Sequence, residues 1–314
     1  MKIYHSLGDV PFDKNTILSI GMFDGVHRAH QQIIGDVVDQ AEQSKGRNFL
    51  VSFEPHPKEI VAPNSQIDLL STLEEKVQLF QSYGIKNLLI IPFTYEFSRL
   101  GIVDFYKKYI IDGIGISKVI EGNNHHLGRD REGGITQIID LGKQFSFDVQ
   151  KVEMINVSGA TISSSSIREL LREGNISFAN AMLGRPYSFS GTVVRGYGRG
   201  KKMGYPTANI QLDTQKKLVP QIGVYAVRFY VHKKWYDGMM SIGHNPTFHE
   251  HHDRTTEVNI FDFDEDIYGE YVTVQCIERT RDEKKFSSVD ELITAMANDK
   301  LTTQQILKKN YSIS

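Results

Sequence analysis

One feature constrains the fold more than any other: the hydrophobic period changes partway along the chain. In the first half, short β-rich runs at Thr16–Ile20, Asn48–Phe53, Asn87–Pro92, Lys118–Glu121 and Val149–Ile155 alternate with stretches of helical period. Those stretches are His27–Gln43, Leu73–Tyr83, Ile102–Ile111 and Ile135–Phe145, followed by two shorter ones, Ser163–Arg172 and Ser177–Met182. In the first of them Ala29, Ile33, Ile34, Val37, Val38 and Ala41 recur at helical spacing. Strands alternating with helices predict an α/β module with a doubly wound parallel sheet, whose ligands bind at the carboxyl ends of the strands. The pattern breaks at Gly184 and Pro186. Beyond them Ser188–Arg195, Gly223–Val231, Trp235–Ile242, Thr256–Phe263 and Tyr271–Ile277 are β-rich with few helical stretches between them. This predicts an antiparallel β-barrel closed by helices near Val289–Met296 and Thr303–Lys309. A boundary near residue 185 therefore gives two modules, 1–185 and 186–314, in keeping with a chain of 314 residues.

The formal net charge is −2 and no long basic tract occurs, which argues against nucleic acid or an anionic membrane as the main partner. A single cysteine, Cys276, excludes an intramolecular disulfide and a cysteine-rich zinc site. The opening "MKIYHSLGDVPFDKN" lacks the apolar core of a signal peptide, and no stretch reaches the ~20 apolar residues of a membrane span. The expected compartment is the cytoplasm.

Chemistry first becomes visible in "GMFDGVHRAH", residues 21–30, between the first strand and the first helix. A helix N-terminus offers unpaired N–H groups and partial positive charge, and Gly21 and Gly25 let a ligand approach the backbone closely. His27 and His30 lie on the first turn, where both can donate to a phosphate and stabilise charge at a transferring phosphorus. The run "TISSSSIRELL" supplies hydroxyls, which also serve as helix caps, and Arg168, whose fork suits phosphate. His56 lies in "FEPHPKEIVAP", whose three prolines make a rigid loop. In the second half, "RGYGRGKKMGYPTANI" is a glycine-rich loop with Arg199, Lys201 and Lys202, suited to polyphosphate. Thr207 and Asn209, two apart, offer hard oxygen ligands on one side of an extended segment, which suits Mg²⁺. Four histidines, His244, His249, His251 and His252, match no standard metal spacing and are read as a polar loop.

Taken in order, "GMFDGVHRAH", "FEPHPKE", "GRDREGG", "ISSSSIRELL", "GRGKKMGYPTANI", "IGHNPTF" and "EVNIFDFDEDIYG" closely resemble the bacterial bifunctional riboflavin kinase/FMN adenylyltransferase family over nearly the whole chain. The resemblance implies that the first module transfers an adenylyl group from ATP to FMN and that the second phosphorylates riboflavin, with ATP and Mg²⁺ used in both. It implies catalytic roles for His27, His30 and Arg168 in one module and for Glu257, as the base, in the other. ATP contacts are implied for Gly21, Phe23, Gly25, Ser164 and Ser165, and for Gly198, Arg199, Gly204 and Thr207. Flavin contacts are implied for His56, Asn124, Asn245 and Arg281, and Mg²⁺ ligation for Thr207 and Asn209. The implied small-molecule partners are riboflavin, FMN, FAD and ATP. The chain departs from the family at Ala29, in place of a glycine, and at His125 and Leu127, in place of aromatics. Two other readings remain open: one live module, or a flavin-binding regulator without chemistry.

Overall fold

The computed structural model describes residues 1–64, 67–122, 134–153, 155–196, 200, 203–244 and 254–311. They form two compact units, Met1–Ser164 and Ser165–Ser314.

The first unit runs β1 (Lys2–Tyr4), β2 (Thr16–Ile20), α1 (Arg28–Gln43), β3 (Arg47–Glu54), α2 (Pro57–Val61), α3 (Leu73–Ser82) and β4 (Asn87–Pro92). It continues through α4 (Tyr95–Ser98), α5 (Ile102–Phe105), β5 (Lys118–Gly122), α6 (Ile135–Phe145), β6 (Asp148–Val152) and a small hairpin of β7 (Asn156–Val157) and β8 (Ala160–Thr161). The sheet order is β1-β4-β3-β2-β5-β6 with every pairing parallel, so the order reverses at β2. One face packs Leu18, Phe49, Val119, Tyr106 and Ile138, and the other packs Ile17, Leu50, Ile34, Val37 and Phe80. This is the doubly wound sheet that alternating periods require. Two details differ from expectation. The helix expected over 102–111 widens after Phe105 into a π-helical segment, Tyr106–Ile114, in which Tyr106 stacks on Phe147 with ring centroids 5.9 Å apart. The edge strand β1, three residues long, is too short to show a period.

The helix α7 (Ser164–Glu173) opens on the last residue of the first unit. The second unit continues through α8 (Ile176–Leu183), β9 (Tyr187–Val194), β10 (Ala208–Leu212), β11 (Gly223–Val231), β12 (Lys234–His244), β13 (Arg254–Ile260), β14 (Tyr271–Arg281) and α9 (Val289–Tyr311). The strands close into an antiparallel barrel of order β10-β13-β12-β11-β14-β9. The barrel has one strand more than the five expected, β10, which holds the extended segment around Asn209. The two expected C-terminal helices are one, because no glycine or proline interrupts 297–302 and Asp299, Thr303 and Leu307 are buried along it. The compact division falls at Ser164/Ser165, earlier than the change of period near 185. Helices α7 and α8 pack with the barrel: Gln221 N donates to Leu171 O at 2.9 Å, Tyr187 N to Asn180 Oδ1 at 2.7 Å and Asn180 Nδ2 to Cys276 O at 2.9 Å. Among the described residues no helix is long and apolar enough to cross a membrane.

Candidate active sites

In the first unit the site grows from the exit of β2. Pairing of β2 with β3 extends to Ile20↔Val51, whereas pairing with β5 stops at Leu18↔Val119. The two strands therefore part at the point where the strand order reverses, the usual ligand position in such sheets. The chain turns there through Phe23, Gly25 and Val26, with φ of 49°, 81° and 38°. Glycine adopts such values freely, but a phenylalanine and a β-branched valine do so only under strain. Burial holds them, since Phe23 is 3% exposed and Val26 0%. Gln31 Nε2 adds a bond to Val26 O at 2.8 Å.

His27 is the N-cap of α1, and its Nδ1 accepts from His30 N at 3.4 Å. Accepting at Nδ1 leaves the proton of the neutral ring on Nε2, which becomes the donor. The His27 and His30 rings stack with centroids 3.6 Å apart at 14°, and Phe23 sets its edge against His30 at 5.3 Å. Ser164 Oγ, in the first unit, donates to Asp24 O at 2.9 Å. Ser165 and Arg168 follow it on α7. His56 caps α2, its Nδ1 accepting from Lys58 N at 3.2 Å.

Three buried charged residues that the sequence reading passed over brace this loop. Asp24 accepts from Leu70 N and Ser71 N, each at 3.0 Å. Lys76 donates to Met22 O at 3.4 Å and lies 4.0 Å from Glu54. Burial lowers its pKa, against the opposing pull of Glu54 and Asp24. Glu121 Oε1 accepts from Ile20 N at 2.8 Å. Each had a signal in the sequence. Asp24 lies inside the glycine motif, Lys76 interrupts the apolar stripe of Leu73, Val77 and Phe80, and Glu121 directly follows the apolar pair Val119 and Ile120.

In the second unit Thr207 Oγ1 donates to Glu257 Oε2 at 3.0 Å. Asn209 on β10 lies opposite Glu257 on β13. Asn259 Nδ2 donates to Pro206 O at 2.7 Å and fixes the approach to this strand. Gly200 is required by proximity, since a Cβ there would sit 2.3 Å from the backbone oxygen of Tyr205, and a Cβ on Gly196 would sit 2.2 Å from Asn209 Nδ2 and displace that side chain. Gly204 follows at φ 80°. Arg281 is paired with Asp299, its Nε and Nη2 donating to the two carboxylate oxygens at 2.8 and 2.7 Å. The Thr207 hydroxyl, the Asn209 amide and the Glu257 carboxylate are oxygen donors of the kind Mg²⁺ takes, so these residues fit that ion. Asn124, Gly198, Arg199, Lys201, Lys202 and Asn245 lie outside the described residues, as do His125, Leu127, His249, His251 and His252.

Family models match both halves: FAD synthetase over residues 9–166 and riboflavin kinase over residues 183–307. Curated relatives named bifunctional riboflavin kinase/FMN adenylyltransferase include one from Listeria monocytogenes, 34% identical over 95% of this chain and 94% of its own length. The relative of that name from Escherichia coli K12 is 30% identical over 96% of this chain and 95% of its own length. A crystal structure from Streptococcus pneumoniae, described as a macrolide-efflux protein, superposes with a TM-score of 0.88 at 30% identity. It covers 96% of this chain, which covers 98% of it.

Proposed function

The chain belongs to the bifunctional riboflavin kinase/FMN adenylyltransferase family and, with ATP as co-substrate, turns riboflavin into FMN and FMN into FAD; from that premise we propose which residues carry each step. In the first step the riboflavin 5′-hydroxyl oxygen attacks the γ-phosphorus of ATP, the bond to the β,γ-bridging oxygen breaks and ADP leaves. Glu257 accepts the hydroxyl proton. The observation that carries this reading is the convergence of Glu257, Thr207 and Asn209. Thr207 donates to Glu257 at 3.0 Å, and Asn209 lies opposite Glu257 in the β10–β13 pairing, so the carboxylate is held beside both residues. Thr207 and Asn209 would hold Mg²⁺, which when bound neutralises charge on the phosphates. Gly198, Arg199 and Gly204 would cradle ATP, and Asn245 and Arg281 would contact the flavin.

In the second step an oxygen of the FMN phosphate attacks the α-phosphorus of ATP, and pyrophosphate leaves. His27 and His30 would donate to the phosphate oxygens on which charge accumulates, with Arg168 as a forked partner. Gly21, Phe23, Gly25, Ser164 and Ser165 would bind ATP, and His56 and Asn124 would serve the flavin side. The stacked histidines at the N-cap of α1 support this assignment. The functional boundary between the modules is placed near residue 185. A cytoplasmic setting suits an ATP-consuming enzyme with one buried cysteine, whose thiol burial pushes up to about 12.

The test is Glu257→Gln, which keeps shape and removes basicity. FMN formation should fall by roughly 10²–10⁴-fold, while FAD formation from supplied FMN should persist. Near-normal FMN formation would remove Glu257 from the base role.

A further inference from the structure

At the carboxyl end of the sheet two neighbouring strands stop pairing before either of them ends. β2 and β5 are joined only at Ile17↔Lys118 and Leu18↔Val119. β2 nevertheless continues to Ile20 beside β3, and β5 continues to Gly122 beside β6. Past Leu18 each strand follows its outer neighbour, and the two diverge. Divergence of this kind strands backbone donors: Ile20 is 1% exposed, so water cannot easily satisfy its N–H. Glu121 fills that role. It is 1% exposed and its carboxylate spans the gap to Ile20 N at 2.8 Å. Tyr106, buried in the layer that Val119 faces, feels the same group, since Glu121 adds to burial in raising its phenol pKa.

A carboxylate here looks out of place, because the three preceding residues of β5 include Val119 and Ile120 and the position lies in an apolar layer. Length explains it. An apolar residue would offer Ile20 no acceptor, and β2 could recover one only by zipping onto β5. A glutamate supplies the acceptor from a distance and leaves the strands apart.

We infer that Glu121 is a spacer that holds β2 and β5 apart past Leu18, and that it is thereby a positioning residue for nucleotide binding in adenylyl transfer. It acts through the backbone: Ile20 is the last residue before the Gly21–Val26 loop, and that loop delivers His27 to the head of α1. The inference rests on the reading of this loop as the ATP site.

Reach and charge make opposite demands, so three substitutions separate them. Glu121→Gln keeps reach and an acceptor oxygen but loses charge, Glu121→Asp keeps charge but is one methylene shorter, and Glu121→Val has neither. On the full chain, with FMN supplied, the Asp and Val variants should raise the KM for ATP in FAD formation by about tenfold or more, with a smaller change in kcat. The Gln variant should stay within about threefold of the parent. Riboflavin phosphorylation should be unchanged in all three. A wild-type KM in the Val variant would overturn the inference, and so would a Gln variant impaired while the Asp variant is not. If thermal unfolding shows the Val variant to be misfolded, the comparison of Gln with Asp decides alone. Failure of the unsubstituted chain to make FAD would instead count against the reading of the loop.

Discussion

At the scale of single residues, the pair His27 and His30 is built as one object. Phe23 bears on His30, His30 stacks on His27, and His27 caps the helix that carries His30. Neither ring can be removed without loosening the other, so the donor proposed for the phosphate is held by packing within the protein itself. His30→Ala should therefore lower FAD formation from FMN by ~10²–10³-fold and leave riboflavin phosphorylation nearly intact. Separate assays of the two reactions check this, and an unchanged adenylyl-transfer rate would return the pair to a packing role. The pairing of these histidines was legible in the sequence because both lie within one ten-residue motif. Asp24 and Glu121 were not, because what they do depends on partners distant in sequence: Leu70 lies 46 residues from Asp24, and Ile20 lies 101 from Glu121. Composition reports that a charge is present in an apolar run. Only the sheet order reveals the backbone donor that it serves.

At the scale of elements, the barrel depends on close backbone approach at β9. Gly191 pairs with Leu212 on one side and Val272 on the other. A Cβ at this position would lie 2.2 Å from the Gln211 carbonyl oxygen, a backbone atom held in the ladder. Gly191→Ala should destabilise the second unit by about 1–3 kcal/mol, the range for overpacking where neighbours cannot give. Thermal unfolding and FMN formation should report the loss, while FAD formation from supplied FMN persists; full stability would contradict the close approach. Most elements were legible, since alternating strands and helices carry distinct periods over long stretches. β10 was harder to see, because its five residues, Ala208–Leu212, read first as ligands on an extended segment. The continuous helix α9 was read as two, because the polar stretch between its apolar clusters looked like a break. Its Asp299 is instead an anchor, holding Arg281 through two hydrogen bonds.

At the scale of the whole molecule, the compact division and the change of period fall in different places, and truncation distinguishes them. A fragment of residues 186–314 lacks α8, whose Ala179, Met182 and Leu183 are buried and whose Asn180 bonds β9 and β14. A fragment of residues 165–314 keeps them. Both should convert riboflavin to FMN without making FAD, but the shorter should unfold at lower temperature, since burying one such side chain is worth about 1.5–3 kcal/mol. Equal stability would place the structural boundary at 185 after all. The three-residue strand β1 bears on a different property, behaviour at high protein concentration. A closed barrel offers no free edge for another chain to join, whereas an open sheet has two. One of those edges, β6, is guarded by the polar Asp148, Gln150 and Lys151. The other is β1, where exposed Lys2 stands in front of β4 and its buried run Leu88, Leu89, Ile90 and Ile91. Lys2–Tyr4 thus acts as a cover strip over Asn87–Leu89: with it peeled away, Leu88 and Leu89 would join the free edge of β4, and a free apolar edge is the usual seed for strand addition between molecules and for aggregation.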